Sequence, residues 1–307
     1  MGTPDFAVPS LECLLDGDYE VVAVYTQPDK PAGRGRRLAG SPVKRLAVQR
    51  GIPVLQPGTL RAGEAAERLA TLRPELGVVA AYGQLLPGEF LSVPRFGFLN
   101  VHPSLLPRHR GPSPVANAIL CGDLTTGVSI MVMDAGMDTG PVVARAELAI
   151  SDVETTGTLT SKLAGVGATL LQATVPGWIE GSIVPTAQDE SQASYSRRVT
   201  AQQGELDWGQ SATELWRCVR AYDPWPGAYT WFEGKRLKIR EAAPVNERAT
   251  GEPGWVVSLS GPPGVGVVTG RDVLGLRRVQ LEGKRETVVS DFMRGRDGFL
   301  GSKLGRT

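Results

Sequence analysis

Residues 100–107, Asn-Val-His-Pro-Ser-Leu-Leu-Pro, follow an apolar run and predict the end of a buried strand over 96–102. Side chains alternate between the two faces of a strand, so Asn100 and His102 share one face. Pro103 has no N–H for a ladder and therefore ends the strand. The pattern predicts an amide and an imidazole side by side at the carboxyl end of a strand, where open α/β sheets bind their ligands.

Strand-like and helix-like patterns alternate on both sides of this segment. Apolar strand patterns cover 19–25, 76–82 and 127–133, and helical spacing covers 60–72 and 114–120. Such alternation is typical of an α/β fold, and we predict a doubly wound, mostly parallel, Rossmann-like sheet.

The pattern changes in the last third of the chain. A long helix over 158–179 is followed by a polar stretch and then, after residue 227, by short strands separated by glycines. Evenly spaced short strands predict a small β-barrel. We therefore divide the chain into an α/β domain over 1–184, a linker over 185–205 and an OB-like β-barrel domain over 206–307.

Composition restricts the class of protein. No apolar run approaches the roughly 20 residues needed to span a bilayer, and the first residues lack the pattern of a signal peptide. The three cysteines, Cys13, Cys121 and Cys218, are far apart and lack metal-ligand spacing. We expect reduced thiols in a cytoplasmic protein and no bound metal.

The net charge of +1 hides an asymmetry. Residues 1–207 hold 17 Lys and Arg against 21 Asp and Glu, a charge of −4, and residues 208–307 hold 16 against 11, a charge of +5. A basic second domain suggests a polyanionic partner, although a charge of this size is common in proteins without one.

Asp138 is the third polar residue of interest, in a glycine-flanked turn after the strand pattern over 127–133. A carboxylate facing His102 across neighbouring strand ends would orient the imidazole and favour its protonated form. Asn100 would donate an amide N–H to a developing oxyanion. An amide, an imidazole and a carboxylate without a nucleophilic serine or cysteine beside them fit direct acyl transfer between two bound substrates. The alternative is a satisfied buried histidine, a turn-forming asparagine and a helix-capping aspartate.

These residues belong to a larger set of motifs by which the chain resembles the methionyl-tRNA formyltransferases over nearly its whole length. The segments that carry the resemblance are 2–6, 26–35, 41–44, 81–87, 100–107, 133–140 and 224–229. It implies that residues 1–184 form the catalytic domain, that 206–307 form a tRNA-binding domain, and that the protein is a monomer. The implied reaction transfers the formyl group of 10-formyltetrahydrofolate to the α-amino group of initiator methionyl-tRNA.

The resemblance also implies residue roles. Asn100, His102 and Asp138 match the catalytic triad. The folate co-substrate is expected at two loops, whose matching residues are Tyr82, Gly83, Leu85, Ser104, Leu105, Leu106 and Pro107. The expected tRNA contacts lie in a basic stretch over 30–50 that contains no acidic residue. They are Arg34, Arg36, Arg37 and Lys44, although a charge run is more often simply solvated.

The sequence departs from the family pattern at two places. The family begins with an apolar strand before the turn at Gly2, and Met1 occupies the position of the last residue of that strand. We therefore expect a truncated first strand and a chain that folds poorly as written. The segment 108–113 also departs from the family, and we predict that its His109 lies on the surface.

Three other functions remain open at this point. A folate-dependent formyltransferase acting on an amino sugar nucleotide shares the triad. A non-catalytic RNA-binding module could keep the fold, but the intact Asn100, His102 and Asp138 disfavour it. A nicotinamide oxidoreductase is weaker, because the glycines at 33 and 35 lack the rest of a dinucleotide fingerprint.

Overall fold

The computed structural model describes residues 1–32, 37–61, 63–247 and 250–306. The chain divides into two compact units. The first unit contains residues 1–114, 124–149 and 159–196, and the second contains 115–123, 150–158 and 197–307. Within the described ranges, no helix combines the length and apolar character that a bilayer crossing requires.

Helices and strands alternate through the first two thirds of the chain. In order these elements are α1 (Val8–Leu15), β1 (Val24–Tyr25), β2 (Lys30–Ala32), β3 (Arg37–Ala39), α2 (Pro42–Gln49), β4 (Val54–Leu55), α3 (Gly63–Thr71), β5 (Gly77–Val79), α4 (Gly88–Leu91), β6 (Phe98–His102), α5 (Pro114–Cys121), β7 (Thr125–Val132), β8 (Val142–Ala149) and α6 (Thr156–Ile179). The strand predicted over 19–25 is thus shorter than expected, because only its last two residues pair with β4.

The sheet of the first unit is built around β6. Strand order is β5-β6-β7-β8, with β5 and β6 parallel and the other two pairs antiparallel. Strands β1 and β4 form a second parallel pair. Parallel sheets with antiparallel strands at one edge are common among doubly wound folds. The predicted Rossmann-like α/β class is confirmed, and β6 is buried along its whole length.

The first two residues lie between β1 and β5. The N–H of Gly2 donates to the carbonyl of Tyr25 at 3.0 Å, and the N–H of Ala80 donates to the carbonyl of Met1 at 2.9 Å. The Met1 amino group donates to the carbonyl of Val78 at 2.6 Å. A largely apolar cavity of about 360 Å³ continues from Met1 between residues 21–25 and 74–78. Poor folding without a preceding strand stays a prediction.

The second unit is an antiparallel half-barrel. Its elements are α7 (Ala212–Ala221), β9 (Tyr229–Phe232), β10 (Lys235–Val245), β11 (Val256–Ser258), β12 (Val265–Val268), β13 (Val273–Leu281), β14 (Thr287–Val288) and α8 (Val289–Arg294). The strands run in the order β11-β12-β13-β10-β9, and β14 pairs with β13. Helix α7 begins with a capping box between Ser211 and Glu214. Its apolar side chains Leu215 and Val219 pack into the core beneath the sheet.

Candidate active site

Strand β6 contains two of the three predicted site residues, Asn100 and His102. Asn100 pairs in register with Met131 of β7, and His102 pairs with Ser129. Both residues lie on one face, and both are buried, at 8% and 4% exposure. The predicted placement is therefore confirmed. The alternative of a turn-forming asparagine is wrong, because Asn100 lies inside the strand.

Asp138 lies in the turn between β7 and β8. Its φ angle of +56° is in the left-handed region, which aspartate tolerates better than most residues do. The turn is closed by Asp134, which accepts hydrogen bonds from the N–H of Gly136 and the hydroxyl of Thr139. Asp138 thus caps no helix, and this part of the alternative interpretation is also wrong.

The three side chains converge. The distance from Asp138 Oδ1 to His102 Nδ1 is 3.6 Å, and the distance from Asp138 Oδ1 to Asn100 Nδ2 is 3.5 Å. Both values lie at or beyond the outer limit of a hydrogen bond. The second carboxylate oxygen is held more firmly, because Oδ2 accepts the N–H of Gly111 at 2.8 Å. The carboxylate is therefore oriented by the backbone and faces the other two side chains.

Burial lowers the pKa of His102, and this cause outweighs the attraction of the Asp138 carboxylate, which raises the pKa. The carbonyl of His109 lies 3.2 Å from Nε2 and can only accept, so Nε2 carries a proton. Asp138 thus favours the protonated ring, as expected from the sequence, while burial favours the neutral ring more strongly.

The prediction of a surface position for His109 is also wrong. His109 is 3% exposed and has a φ of +56°. Its N–H donates to Ser194 Oγ at 2.9 Å, so the loop is tied to a segment far along the chain. The carbonyl of this residue reaches the site.

The position after Arg110 requires a glycine for a structural reason. Gly111 has a φ of +101°, and a Cβ there would lie 2.7 Å from the carbonyl of Ser196. Only glycine places the N–H toward Asp138 without a clash. The backbone groups of His109 and Gly111 were missed from the sequence, since no side chain signals them.

The residues expected to contact folate fall into two groups. Gly83 and Leu85 are exposed, with Leu85 at 62%, and Leu105 and Pro107 are half-buried. The others, Tyr82, Ser104 and Leu106, are buried and support the loops. Ser104 Oγ donates to the carbonyl of Arg108, and the N–H of Leu106 donates to Ser129 Oγ. Burial raises the pKa of Tyr82 to about 12.

The residues expected to contact tRNA are only partly described. Arg34 and Arg36 lie outside the described residues, and Arg37 is described only as the backbone that begins β3. Lys44 follows the N-cap Ser41 of α2 and pairs with Asp29 at 2.7 Å. A tRNA contact by Lys44 would have to share its ammonium group with that carboxylate. Among the described residues, no cluster of three or more His, Cys, Asp or Glu side chains is arranged to hold a metal ion.

The fold places a buried amide and imidazole beside a carboxylate at the end of a strand in an α/β sheet. Residues 1–175 match the family model described as Formyl transferase, and residues 198–297 match Formyl transferase, C-terminal domain. The chain therefore belongs to the formyl transferase family.

Relatives of assigned function support this placement. The methionyl-tRNA formyltransferase of Chloroflexus aurantiacus strain J-10-fl is 46% identical over 96% of this chain and 95% of that protein. The enzyme of the same name from Roseiflexus sp. strain RS-1 is 46% identical over 99% of this chain and 94% of its own length. The chain therefore belongs to the methionyl-tRNA formyltransferase branch of the family. The solved structure of WlaRD, a sugar 3N-formyl transferase, shares the fold with a TM-score of 0.67 and 18% sequence identity. The match covers 92% of this chain and 97% of WlaRD.

Proposed function

We propose that the chain transfers the formyl group of 10-formyltetrahydrofolate to the α-amino group of initiator methionyl-tRNA, with Asn100, His102 and Asp138 as its catalytic residues. The observation that carries the proposal is their convergence within 3.6 Å at the end of β6. A non-catalytic RNA-binding module has no use for a buried imidazole facing an oriented carboxylate.

The chemistry follows from the protonation states. The α-amino group of an aminoacyl ester has an ordinary pKa of about 7.7–8.0, so a large share is neutral near pH 7.5. Its nitrogen attacks the formyl carbon, and the carbonyl oxygen becomes an oxyanion. Asn100 donates an amide N–H to that oxygen.

Because burial lowers the pKa of His102, the imidazole can act as a base near neutral pH. Its Nδ1 takes the proton that the attacking amine loses, and the resulting imidazolium lies between Asp138 Oδ1 and the carbonyl of His109. Collapse of the tetrahedral intermediate breaks the bond from the formyl carbon to N10 of the folate. That nitrogen receives the proton from the imidazolium, so no net proton is gained or lost at the protein.

The folate co-substrate is proposed to contact the exposed or half-buried members of the two loops. Leu85 and Leu105 offer apolar surface to a flat ring, and Gly83 lets the backbone approach closely. The buried members, Tyr82, Ser104 and Leu106, hold these loops in place. No step of this mechanism requires a metal.

The tRNA is proposed to contact the basic stretch over 30–50 and the second unit, including residues 206–307. On the second unit, Arg236 is exposed and lies beside two aromatic rings. The Arg236 guanidinium stacks 4.2 Å from the ring centroid of Tyr229 and 5.6 Å from that of Trp231. Cationic and aromatic groups together suit a nucleic-acid backbone and its bases. We further propose a cytoplasmic monomer.

The test offers 10-formyltetrahydrofolate with methionyl-tRNA and, separately, with an amino sugar nucleotide. We expect formylmethionyl-tRNA and no formylated sugar. His102→Ala and Asn100→Ala should each lower turnover on the order of 10²–10³-fold while tRNA binding is retained. Near-normal turnover in either variant would reject the triad. Formylation of the sugar alone would establish the other formyltransferase reaction, and binding of tRNA without any formyl transfer would indicate the RNA-binding module.

A further inference from the structure

A fully buried arginine stands in the chain between two residues whose backbone groups contact the catalytic residues. Arg110 has 0% exposure although it carries a permanent charge. Its guanidinium makes a bidentate pair with Glu190, at 2.6 and 2.9 Å, and donates to the hydroxyl of Tyr195 at 3.0 Å. A buried cation with this many partners is strongly constrained, and the function described so far assigns it no role.

The backbone on each side of Arg110 touches the catalytic residues. The carbonyl of His109 accepts from His102 Nε2, and the N–H of Gly111 donates to Asp138 Oδ2. A shift of the backbone at Arg110 would therefore move one contact to the imidazole and one contact to the carboxylate.

The same guanidinium also reaches the Asp138 turn by a second route. Gln188 Oε1 accepts from Arg110 Nε at 3.1 Å and from Nη2 at 2.9 Å. Because its oxygen is held in this way, the Gln188 amide nitrogen is directed at the turn. It donates to the carbonyl of Asp138 at 2.8 Å and to that of Gly140 at 2.6 Å.

We propose that Arg110 and Gln188 are positioning residues for formyl transfer, holding Asp138 and the His109 carbonyl on opposite sides of the His102 ring. Both residues act through other groups and touch neither substrate. The proposal rests on the proposed function of this site, and it assigns a task to the segment around Gln188 and Glu190, which lies about fifty residues beyond Asp138 in the sequence.

The test uses the full chain and two variants with matched controls. Arg110→Met removes the charge and all five donors at similar volume, and Arg95→Met removes an exposed arginine of the same unit. Gln188→Glu keeps an acceptor for Arg110 but removes the donor to the Asp138 turn. Gln202→Glu makes the same change at an exposed position fourteen residues further along the chain.

We expect Arg110→Met to lower kcat on the order of 10²-fold and Gln188→Glu about 10-fold, because a misplacement of about 1 Å can cost this much. KM for both substrates should change less than about threefold, since no binding contact is lost. Arg110→Lys should retain intermediate activity, because an ammonium cannot replace the bidentate fork. Both controls should match the unaltered protein.

A second readout does not depend on activity. The chain has only two histidines, so the imidazole protons of His102 can be assigned and titrated by NMR. Loosening of the loop admits water, and the pKa of His102 should rise toward its ordinary value in Arg110→Met. Absence of formyl transfer by the unaltered protein would reject the proposed function, whereas the titration would still test positioning. A normal kcat together with an unchanged titration in folded Arg110→Met would overturn the inference. If that variant does not fold, a normal kcat in Gln188→Glu overturns it.

Discussion

Replacement of Asp138 by asparagine removes the charge that faces His102. The asparagine oxygen can still accept the N–H of Gly111, so the loop keeps its contact. The negative charge 3.6 Å from His102 Nδ1 is lost, and an amide NH2 takes the place of Oδ1, which lies 3.5 Å from Asn100 Nδ2 in the unaltered protein. At that separation a unit charge pair is worth about 1 kcal/mol at the dielectric constant of water and about 5 kcal/mol at an effective value near 20, which suits a partly buried site.

In Asp138→Asn, the imidazolium that forms during the reaction lacks this stabilisation. Because 1.36 kcal/mol corresponds to tenfold, we expect Asp138→Asn to lower kcat by a factor between about 10 and 10³. The carboxylate raises the pKa of His102 against the larger effect of burial. Its removal should therefore lower that pKa further, which makes the imidazole a weaker base.

The assay combines single-turnover formylation of methionyl-tRNA with NMR titration of His102 in the same preparations. Asp134→Asn is the matched control, since it makes the same change in the same turn and retains an acceptor for Thr139. We expect the control to stay within about threefold of the unaltered rate. A full rate in Asp138→Asn, or a His102 pKa that rises in this variant, would show that the Asp138 charge does not stabilise the imidazolium.

Two further predictions concern other parts of the chain. Gly111→Ala should destabilise the fold by about 1–3 kcal/mol in urea unfolding, because a Cβ at a φ of +101° meets the carbonyl of Ser196; an unchanged midpoint would contradict this. Arg34→Ala should weaken tRNA binding and reduce the slope of log affinity against log salt by about one, and an unchanged slope would remove Arg34 from the interface.

The fold class and the placement of Asn100 and His102 on one face of β6 could be predicted, because both have local signals in the sequence. The strand period places Asn100 and His102 on one face, and the proline that follows marks the end of the strand. The turn at Asp138 was similarly marked by its flanking glycines. The short β1 was not predicted, since an apolar run records burial but does not record whether a neighbouring strand is present to pair with it.

Neither the direction of the His102 pKa shift nor the burial of His109 could be predicted from the sequence. Both depend on contacts between segments that are far apart in the chain. His109 is buried because Ser194 holds its N–H, and nothing near residue 109 reports that contact. The pKa of His102 depends on a balance between burial and a carboxylate distance, and spacing along the chain determines neither quantity.

The same contacts explain why a neutral histidine and an oriented carboxylate can coexist in a buried site. Had Asp138 closed to about 2.8 Å from His102, the pair would have been stable as ions, and the imidazole would have had no capacity to accept a proton. At 3.6 Å the carboxylate is held by Gly111 and is close enough to stabilise the imidazolium once it forms. The geometry thus favours the protonated ring during the reaction more than before it, and catalysis depends on that difference.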